Sequence, residues 1–306
     1  MSKTPSAPKI PRKRPWHIDL RDRIEAGAAA LVFGLFRLLP LDAASALGGF
    51  IGRTIGRFSG ISKRARINLR RAMPELGEEE TERVIRGMWD NLGRVVAEYP
   101  HLGEFRIFEP GGRVQREGFE HIDRALAAGK RIIFVSGHYG NWEVATLGAT
   151  QYGLSVAQIY RAANNPRTDA LIRQFRGVVG SELIPKGVIA ARKSIEALRQ
   201  GRHLAMLVDQ KMNDGIAVPF FGRDAMTPPA AAQLALRFGC AIIPARVERT
   251  QGAHFRVTVF PEIAHEPTGD RNADIHAMTT EINAVLESWI RARPEMWFWL
   301  HRRWPD

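Results

Sequence analysis

Short apolar runs alternate along most of this chain with longer segments in which apolar residues recur at helical spacing. Six apolar runs predict strands, at residues 130–135, 154–160, 181–184, 203–208, 241–247 and 255–260. The segments between and after them predict helices, at residues 141–151, 168–175, 188–200, 229–238 and 273–291. Strands that alternate with helices predict an α/β fold with a mostly parallel central sheet flanked by helices.

The amino-terminal quarter has a different pattern. Eleven uninterrupted apolar residues at 26–36 are followed by Arg37 and a second apolar group at 38–41. Eleven helical residues measure about 17 Å, well short of the roughly 30 Å hydrocarbon core, so a simple transmembrane helix is not expected. The pattern favours an interfacial or half-inserted helix. Its predicted membrane-anchoring residues are Leu31, Val32, Phe33, Leu35 and Phe36.

Charge supports this interpretation. Lys and Arg number 44 against 32 Asp and Glu, a formal net charge of +12, and the excess flanks the apolar stretch. Basic runs beside an apolar helix suit anionic headgroups. We therefore predict a flexible basic tail at 1–16, a helical membrane-association region at 17–75 and an α/β domain at 76–306.

Three other interpretations of the amino-terminal segment remain open. The Ala44-Ser45-Ala46 sequence resembles a signal-peptide cleavage site, but the preceding region is long and Arg37 interrupts its apolar core. Nucleic-acid binding would explain the charge, yet no binding motif is present and the basic runs do not alternate with stacking aromatics, so no nucleic-acid partner is expected. A buried helix with a solvated basic rim is the third.

The segment 135–143 carries the strongest candidate chemistry. His138 and Glu143 follow an apolar strand, and five positions of continuous helix would rotate them about 140° apart. The two glycines between strand and helix predict a turn, with His138 in it and Glu143 in the first helical turn. Glu143 could then orient the imidazole as a general base whose nucleophile comes from the substrate. The alternative is a structural or surface pair.

Other polar residues stand at predicted strand ends, where α/β sheets bind ligands. Arg161 could bind a phosphate or stabilise an oxyanion, or belong to an ordinary capping loop. The segment 218–228 predicts a loop with exposed aromatics that lines an acyl channel or simply packs. A single cysteine and nine His residues without metal-ligand spacing predict no metal site. The candidate substrate-binding residues are Arg161, Asn141, Asp209, Gln210, Phe221 and Thr227.

The tryptophans near the carboxyl end have two interpretations. Trp297, Trp299 and Trp304 could lie at a headgroup boundary, where amphipathic rings are favoured. Residues 296–300 equally predict a buried terminal strand, and we expect burial of Trp297 and Trp299. His301 is interpreted as structural or as a phosphate contact.

These motifs together resemble a known family. The segment SGHYGNWE at 136–143 resembles the HxxxxD/E motif of the lysophospholipid acyltransferase superfamily. Four more segments are similar to the lipid A biosynthesis lauroyl/myristoyl (Kdo-dependent late) acyltransferases of Gram-negative bacteria, at residues 64–69, 160–166, 208–222 and 297–304.

The resemblance implies an acyltransferase (EC 2.3.1) at the cytoplasmic face of the inner membrane. It would move a fatty acyl chain from acyl carrier protein to the 3-hydroxyl of a hydroxyacyl chain on a lipid A precursor, with His138 as base and Glu143 as orienter. No cofactor is implied beyond the acyl donor, acyl carrier protein or CoA, and a monomer suffices. The alternatives are another membrane acceptor, such as an aminolipid or lysophospholipid, and a non-catalytic membrane-associated binding protein.

Overall fold

The structure, a computed structural model, describes residues 15–304, so the predicted tail at 1–16 lies outside the described residues except for its last two. The described helices are α1 (Trp16–Arg37), α2 (Leu41–Ile55), α3 (Ser62–Ala72), α4 (Glu78–Glu98), α5 (Glu120–Ala127), α6 (Trp142–Gln151), α7 (Pro166–Arg176), α8 (Val188–Arg199), α9 (Ala230–Phe238) and α10 (Arg271–Ala292). The described strands are β1 (Val114–Glu117), β2 (Ile132–Ser136), β3 (Val156–Tyr160), β4 (Glu182–Pro185), β5 (His203–Leu207), β6 (Ile216–Phe220), β7 (Arg223–Thr227), β8 (Ala241–Gln251) and β9 (His254–Val259).

Seven strands form one sheet in the order β1-β9-β8-β2-β5-β3-β4. The five strands from β8 to β4 are parallel, whereas β9 is antiparallel to β8 and pairs in parallel with β1. All six predicted strands and the mostly parallel sheet are confirmed.

The sheet is buried on both faces, as the continuous apolar runs predicted. In β2, Ile133 and Val135 join a core cluster with α4, α9 and α10. Ile132 and Phe134, which point to the other face, join a cluster with α5 and α6. Helices therefore flank both faces, and polar groups at the carboxyl ends of β2, β3, β4 and β5 meet at one edge.

The amino-terminal apolar stretch lies in α1, where some of the predicted anchoring residues are exposed and the others are buried. Leu31, Val32 and Leu35 are exposed. Phe33 and Phe36 are buried instead, because a helix turns its residues to different sides; Phe33 packs against Phe175 of α7 with ring centroids 5.1 Å apart. No helix of residues 15–304 is long and apolar enough to cross a membrane.

Helix α2 packs closely on α4 because glycines remove the side chains between them. A Cβ on Gly52 would lie 2.0 Å from the carbonyl oxygen of Trp89, and one on Gly48 would lie 2.4 Å from that of Gly93. The opposite side of α2, which we call its outer face, exposes four large apolar side chains, Leu47, Phe50, Ile51 and Ile55.

Two predicted segments differ from the structure. The segment 218–228, expected to be a loop with exposed aromatics, forms the β6–β7 hairpin, in which Phe220 and Phe221 are buried among the carboxyl-terminal tryptophans. Residues 296–300 do not form a strand, although the predicted burial of Trp297 and Trp299 is confirmed. Both segments are short, and their aromatic residues suit a core in any backbone conformation.

Candidate active site

The predicted turn after β2 brings His138 beside a carboxylate, which belongs to Asp209. Ser136 of β2 pairs with Leu207 of β5, so the residue two places beyond each strand lies at the same edge of the sheet. The His138 backbone N–H donates to Asp209 Oδ2 at 2.7 Å, and ring Nδ1 lies 2.8 Å from Oδ1. One carboxylate therefore fixes both the backbone and the ring of His138.

The charge of Asp209 defines which imidazole nitrogen is free. Asp209 is fully buried and also accepts a hydrogen bond of 2.8 Å from Trp297 Nε1. Burial alone would raise the pKa of this carboxyl, but His138, through its charge and its hydrogen bonds, holds that pKa far below the usual range. An ionised carboxylate only accepts hydrogen bonds, so Nδ1 of His138 is the donor in this contact, and the neutral form of the imidazole has its lone pair on Nε2.

Two side chains stand next to Nε2 of His138. The side-chain nitrogen of Gln210 lies 3.4 Å from this atom and 3.5 Å from Nδ1 of His301. The His301 ring packs edge-on against His138 with centroids 5.1 Å apart. Burial lowers the pKa of His301 to about 3, so this imidazole is neutral near pH 7 and adds no second positive charge.

The carboxyl-terminal segment closes over the turn after β2, residues 137–141, which we call the candidate catalytic turn. The backbone N–H of Phe298 donates to the carbonyl of His138 at 3.0 Å, and Gly140 donates to the carbonyl of Met296 at 2.9 Å. Tyr139 and Trp297 form an isolated antiparallel bridge. The turn is thus held from one side by Asp209 and from the other by residues 296–298.

The expected contact between Glu143 and His138 is wrong. Glu143 is buried in the first turn of α6, where both of its oxygens receive hydrogen bonds from Arg176, with Nε at 2.8 Å from Oε2, and Tyr99 donates to Oε1 at 2.6 Å. Burial raises the pKa of this carboxyl, but the Arg176 charge and these hydrogen bonds outweigh that effect and lower it. The first turn of α6 directs Glu143 towards α7, while β5 supplies the carboxylate for His138.

Asn141 is also not a substrate-facing residue. It is the amino-terminal cap of α6, fully buried, and its side-chain oxygen accepts the Glu143 N–H at 3.3 Å. Its side-chain nitrogen donates to Glu98 Oε2 at 2.8 Å. Asn141 therefore holds the start of α6 in place.

The remaining predicted binding residues divide into two groups. Arg161, after β3, is exposed at the edge where His138 lies, and the half-buried Gln210 lies beside the imidazole. Phe221 and Thr227 are buried away from it: Phe221 packs on Trp299, and Thr227 accepts a hydrogen bond of 2.8 Å from Arg303. The structure therefore corrects both assignments to packing roles, because the hairpin turns their side chains into the core.

Sequence reasoning missed Tyr99 and Arg176. They lie 44 and 33 residues from Glu143, outside any motif, and a single Arg at the end of a helix indicates no more than a favourable interaction with the helix dipole. Among residues 15–304, the set His138, Asp209 and His301 also has ligand atoms within 4.8 Å of one another, as a metal would need. The absence of a metal stays a prediction.

Comparison with known proteins identifies the class. A family model described as bacterial lipid A biosynthesis acyltransferase matches residues 15–306. The chain is 27% identical over 278 residues to the lipid A biosynthesis lauroyltransferase of Escherichia coli (strain K12), which covers 87% of this chain and 86% of that relative. It is 26% identical over 285 residues to the palmitoleoyltransferase of the same organism, covering 89% and 88%. It is 24% identical over 279 residues to the phosphatidylinositol mannoside acyltransferase of Mycolicibacterium smegmatis (strain ATCC 700084 / mc(2)155), covering 88% of each.

The family model and these relatives define an enzyme that transfers acyl groups. The chain belongs to the bacterial lipid A biosynthesis acyltransferase family.

Proposed function

We propose that this enzyme moves a fatty acyl chain from an acyl-acyl carrier protein to the 3-hydroxyl of a hydroxyacyl chain on a lipid A precursor. The observation that carries the proposal is the 2.8 Å contact between His138 Nδ1 and Asp209, because it leaves Nε2 free to accept a proton. The ring's described hydrogen-bond partners are Asp209 and Gln210, and neither carries a hydroxyl or thiol that the imidazole could deprotonate. The nucleophile therefore comes from the substrate.

The transfer proceeds in two proton-coupled steps. Nε2 of His138 takes the proton of the acceptor hydroxyl while the hydroxyl oxygen bonds to the thioester carbonyl carbon. The carbon–sulfur bond then breaks, and the departing thiolate receives the proton from the imidazolium. Asp209 stabilises the imidazolium between the two steps, and the Gln210 amide N–H is within reach of groups that bind at Nε2.

A small cavity near His138 marks a candidate path for the acyl chain. Its volume is about 20 Å³, room for about one water molecule, and it lies between α6 and the sheet, so an acyl chain would have to widen it. Trp142 borders the cavity, and its ring centroid is 5.1 Å from that of His138. Four small side chains also line the cavity and leave it open, those of Ala145, Ala149, Ala205 and Ala245. We propose that the acyl chain of the donor enters here, in place of the channel expected at 218–228.

The variant Ala149→Leu tests this assignment. Ala149 is buried on α6, and three added carbons would shorten the cavity, so long acyl donors should lose more rate than short ones. Since burial of a methylene contributes about 0.8 kcal/mol, we expect kcat/KM for a long-chain donor to fall by about 15-fold relative to a donor two carbons shorter. Thr150→Leu, on the same helix but outside the cavity, is the control. Equal effects of both variants on chain-length preference would contradict the proposal.

The family supports a lipid A precursor as acceptor, and the relative from Mycolicibacterium smegmatis supports a second candidate, another membrane glycolipid. Arg161 and Lys186 follow the adjacent strands β3 and β4, where Tyr160 pairs with Pro185. Two cations at the edge that holds His138 would suit a phosphate of either acceptor.

We also propose that the enzyme works at the cytoplasmic face of the inner membrane. Exposed Leu31, Val32 and Leu35 of α1 and the outer face of α2 give it apolar surface for the interfacial region of a bilayer. This placement brings a membrane-embedded acceptor and a soluble carrier protein to one site.

His138→Ala tests the proposed function. Loss of the general base should lower kcat by about 10²- to 10⁴-fold in detergent with acyl-acyl carrier protein and a lipid A precursor. His276→Ala, at an exposed position on α10, should retain activity. Near-normal transfer by folded His138→Ala would overturn the mechanism, and transfer to a phosphatidylinositol mannoside but not to a lipid A precursor would overturn the acceptor. Acyl-CoA in parallel reactions tests the donor.

A further inference from the structure

A groove lined by arginines lies behind the candidate catalytic turn, on the side away from Arg161. It has a volume of about 430 Å³ and lies between α2, α4, the β8–β9 turn and the segment after α10. Its floor includes Asn91, whose side chain donates to the carbonyl of Gly140 at 2.9 Å. We call it the basic groove after its six arginines, Arg53, Arg83, Arg86, Arg94, Arg249 and Arg293.

The six arginines of the basic groove outnumber the carboxylates that pair with them by two. Glu80 pairs with Arg83, Glu98 with Arg249 and Glu295 with Arg293, and Asp90 serves two arginines. Asp90 accepts from both Arg53 at 2.7 Å and Arg94 at 2.6 Å, and burial, which alone would raise its pKa, is outweighed by these two arginines. The exposed Arg86 has no hydrogen bond or ion pair with any residue of 15–304. The guanidinium of Arg86 is therefore available to an anion, with the excess charge of Arg53 and Arg94 around their shared carboxylate beside it.

The groove is continuous with the outer face of α2. The guanidinium of Arg53 ion-pairs with Asp90 inside the groove, and its carbon lies 5.3 Å from the ring centroid of Phe50 on the outer face. An anionic group bound in the groove would therefore have exposed apolar side chains beside it. This juxtaposition favours an amphiphile over an acidic soluble protein, which would leave the apolar face uncovered.

We propose that the basic groove binds the phosphate headgroup of an anionic membrane lipid, at a site separate from the catalytic mouth, with the outer face of α2 against its acyl chains. Guanidinium groups bind phosphate through paired N–H donors, and several of them at a bilayer surface act together. The site builds on the proposed membrane association but does not require that the bound lipid be the acyl acceptor. It would hold the candidate catalytic turn at a fixed height above the bilayer.

Binding of the full-length protein to phosphatidylcholine vesicles, with and without phosphatidylglycerol, tests the site. Because each basic residue near an anionic surface contributes about 1 kcal/mol, R83E/R86E should weaken binding to the anionic vesicles by at least about tenfold. The matched control R192E/R199E changes the same charge on α8 and should stay within about twofold. Binding to pure phosphatidylcholine should not change for either pair.

Each outcome decides the proposal. Weaker binding to anionic vesicles by R83E/R86E, but not by R192E/R199E, supports the lipid site. The neutral pair R83Q/R86Q provides the same test if the charge reversal prevents folding. If both charge-reversed pairs lose vesicle binding equally, the attraction is unspecific and the proposal is overturned. Unchanged binding by R83E/R86E would overturn it as well. Weaker binding to acyl carrier protein with intact vesicle binding would assign the groove to a protein partner instead. His138→Ala should bind vesicles normally, so failure of the catalytic proposal is separately visible.

Discussion

Asp209→Asn is expected to lower kcat by about 10³- to 10⁴-fold, the scale seen when a buried carboxylate that orients a catalytic histidine loses its charge. The Asp209 carboxylate accepts three N–H groups, two from His138 and one from Trp297. An amide has only one oxygen and brings two N–H donors, so at least one of these contacts would face a donor. The imidazole would then lose the tautomer that leaves Nε2 free.

The measurements must distinguish a loss of imidazole orientation from a loss of folding. We expect the KM for the acyl donor to change little while kcat falls, and ¹⁵N NMR of His138 to show a changed distribution between the two tautomers. Trp297→Phe removes one donor without touching the carboxylate or the imidazole, so its effect on kcat should be much smaller. A folded Asp209→Asn enzyme with kcat within about tenfold of the natural enzyme would contradict this role.

Glu143→Gln is expected to destabilise the fold by about 3–5 kcal/mol, because it leaves the Arg176 guanidinium buried without its counter-charge. The pair is almost completely buried, with side-chain exposures of 1% and 10% for Glu143 and Arg176. Arg176→Met should destabilise the fold by a similar amount. The double variant should recover part of the lost stability, since it contains no buried charge without a partner. Urea unfolding of the four proteins measures the effect, and additive losses in the double variant would contradict the pairing.

The effect should depend on pH in a defined direction. The pKa of Glu143 is lower in the folded chain than its ordinary value of 4.5, so its contribution to the free energy of unfolding is present above that value. It is lost as the pH falls through the folded-state pKa. The difference between the natural protein and Glu143→Gln should therefore be largest near neutral pH and shrink in acid.

The same variant tests the predicted catalytic role of Glu143. From the observed contacts, Glu143→Gln should leave the His138 tautomer unchanged, whereas Asp209→Asn should alter it. A changed His138 tautomer in the folded Glu143→Gln protein would instead support the original prediction that Glu143 orients the imidazole.

The parts of this fold that were predictable are local. Buried strands carry continuous apolar runs, so all six predicted strands appear, and the strand-to-helix turn at His138 follows from its glycines. Strand order is not local: β2 pairs with β5 and β8, so the carboxylate nearest His138 comes from a residue 71 positions away. Glu143 is only five positions from His138 in the sequence, but α6 turns that carboxylate towards Arg176.

The predictions for the β6–β7 hairpin and for the apolar helix α1 were partly wrong for a related reason. Phe221 and Thr227 have a composition that suits an exposed loop or a core hairpin equally, and only their contacts with Trp299 and Arg303 decide between the two. Within α1, helical rotation separates buried Phe33 from exposed Leu31, a division that an uninterrupted apolar run conceals.

The indole N–H of Trp297 on Asp209 has a consequence for biosynthesis. The imidazole, the carboxylate and the tryptophan that holds it are at positions 138, 209 and 297, so a ribosome must pass residue 297 before the last of them can join the others. A nascent or truncated polypeptide that ends before residue 297 would carry an incompletely supported base. The candidate site would therefore stay incomplete for at least 159 residues of synthesis after His138 has been added.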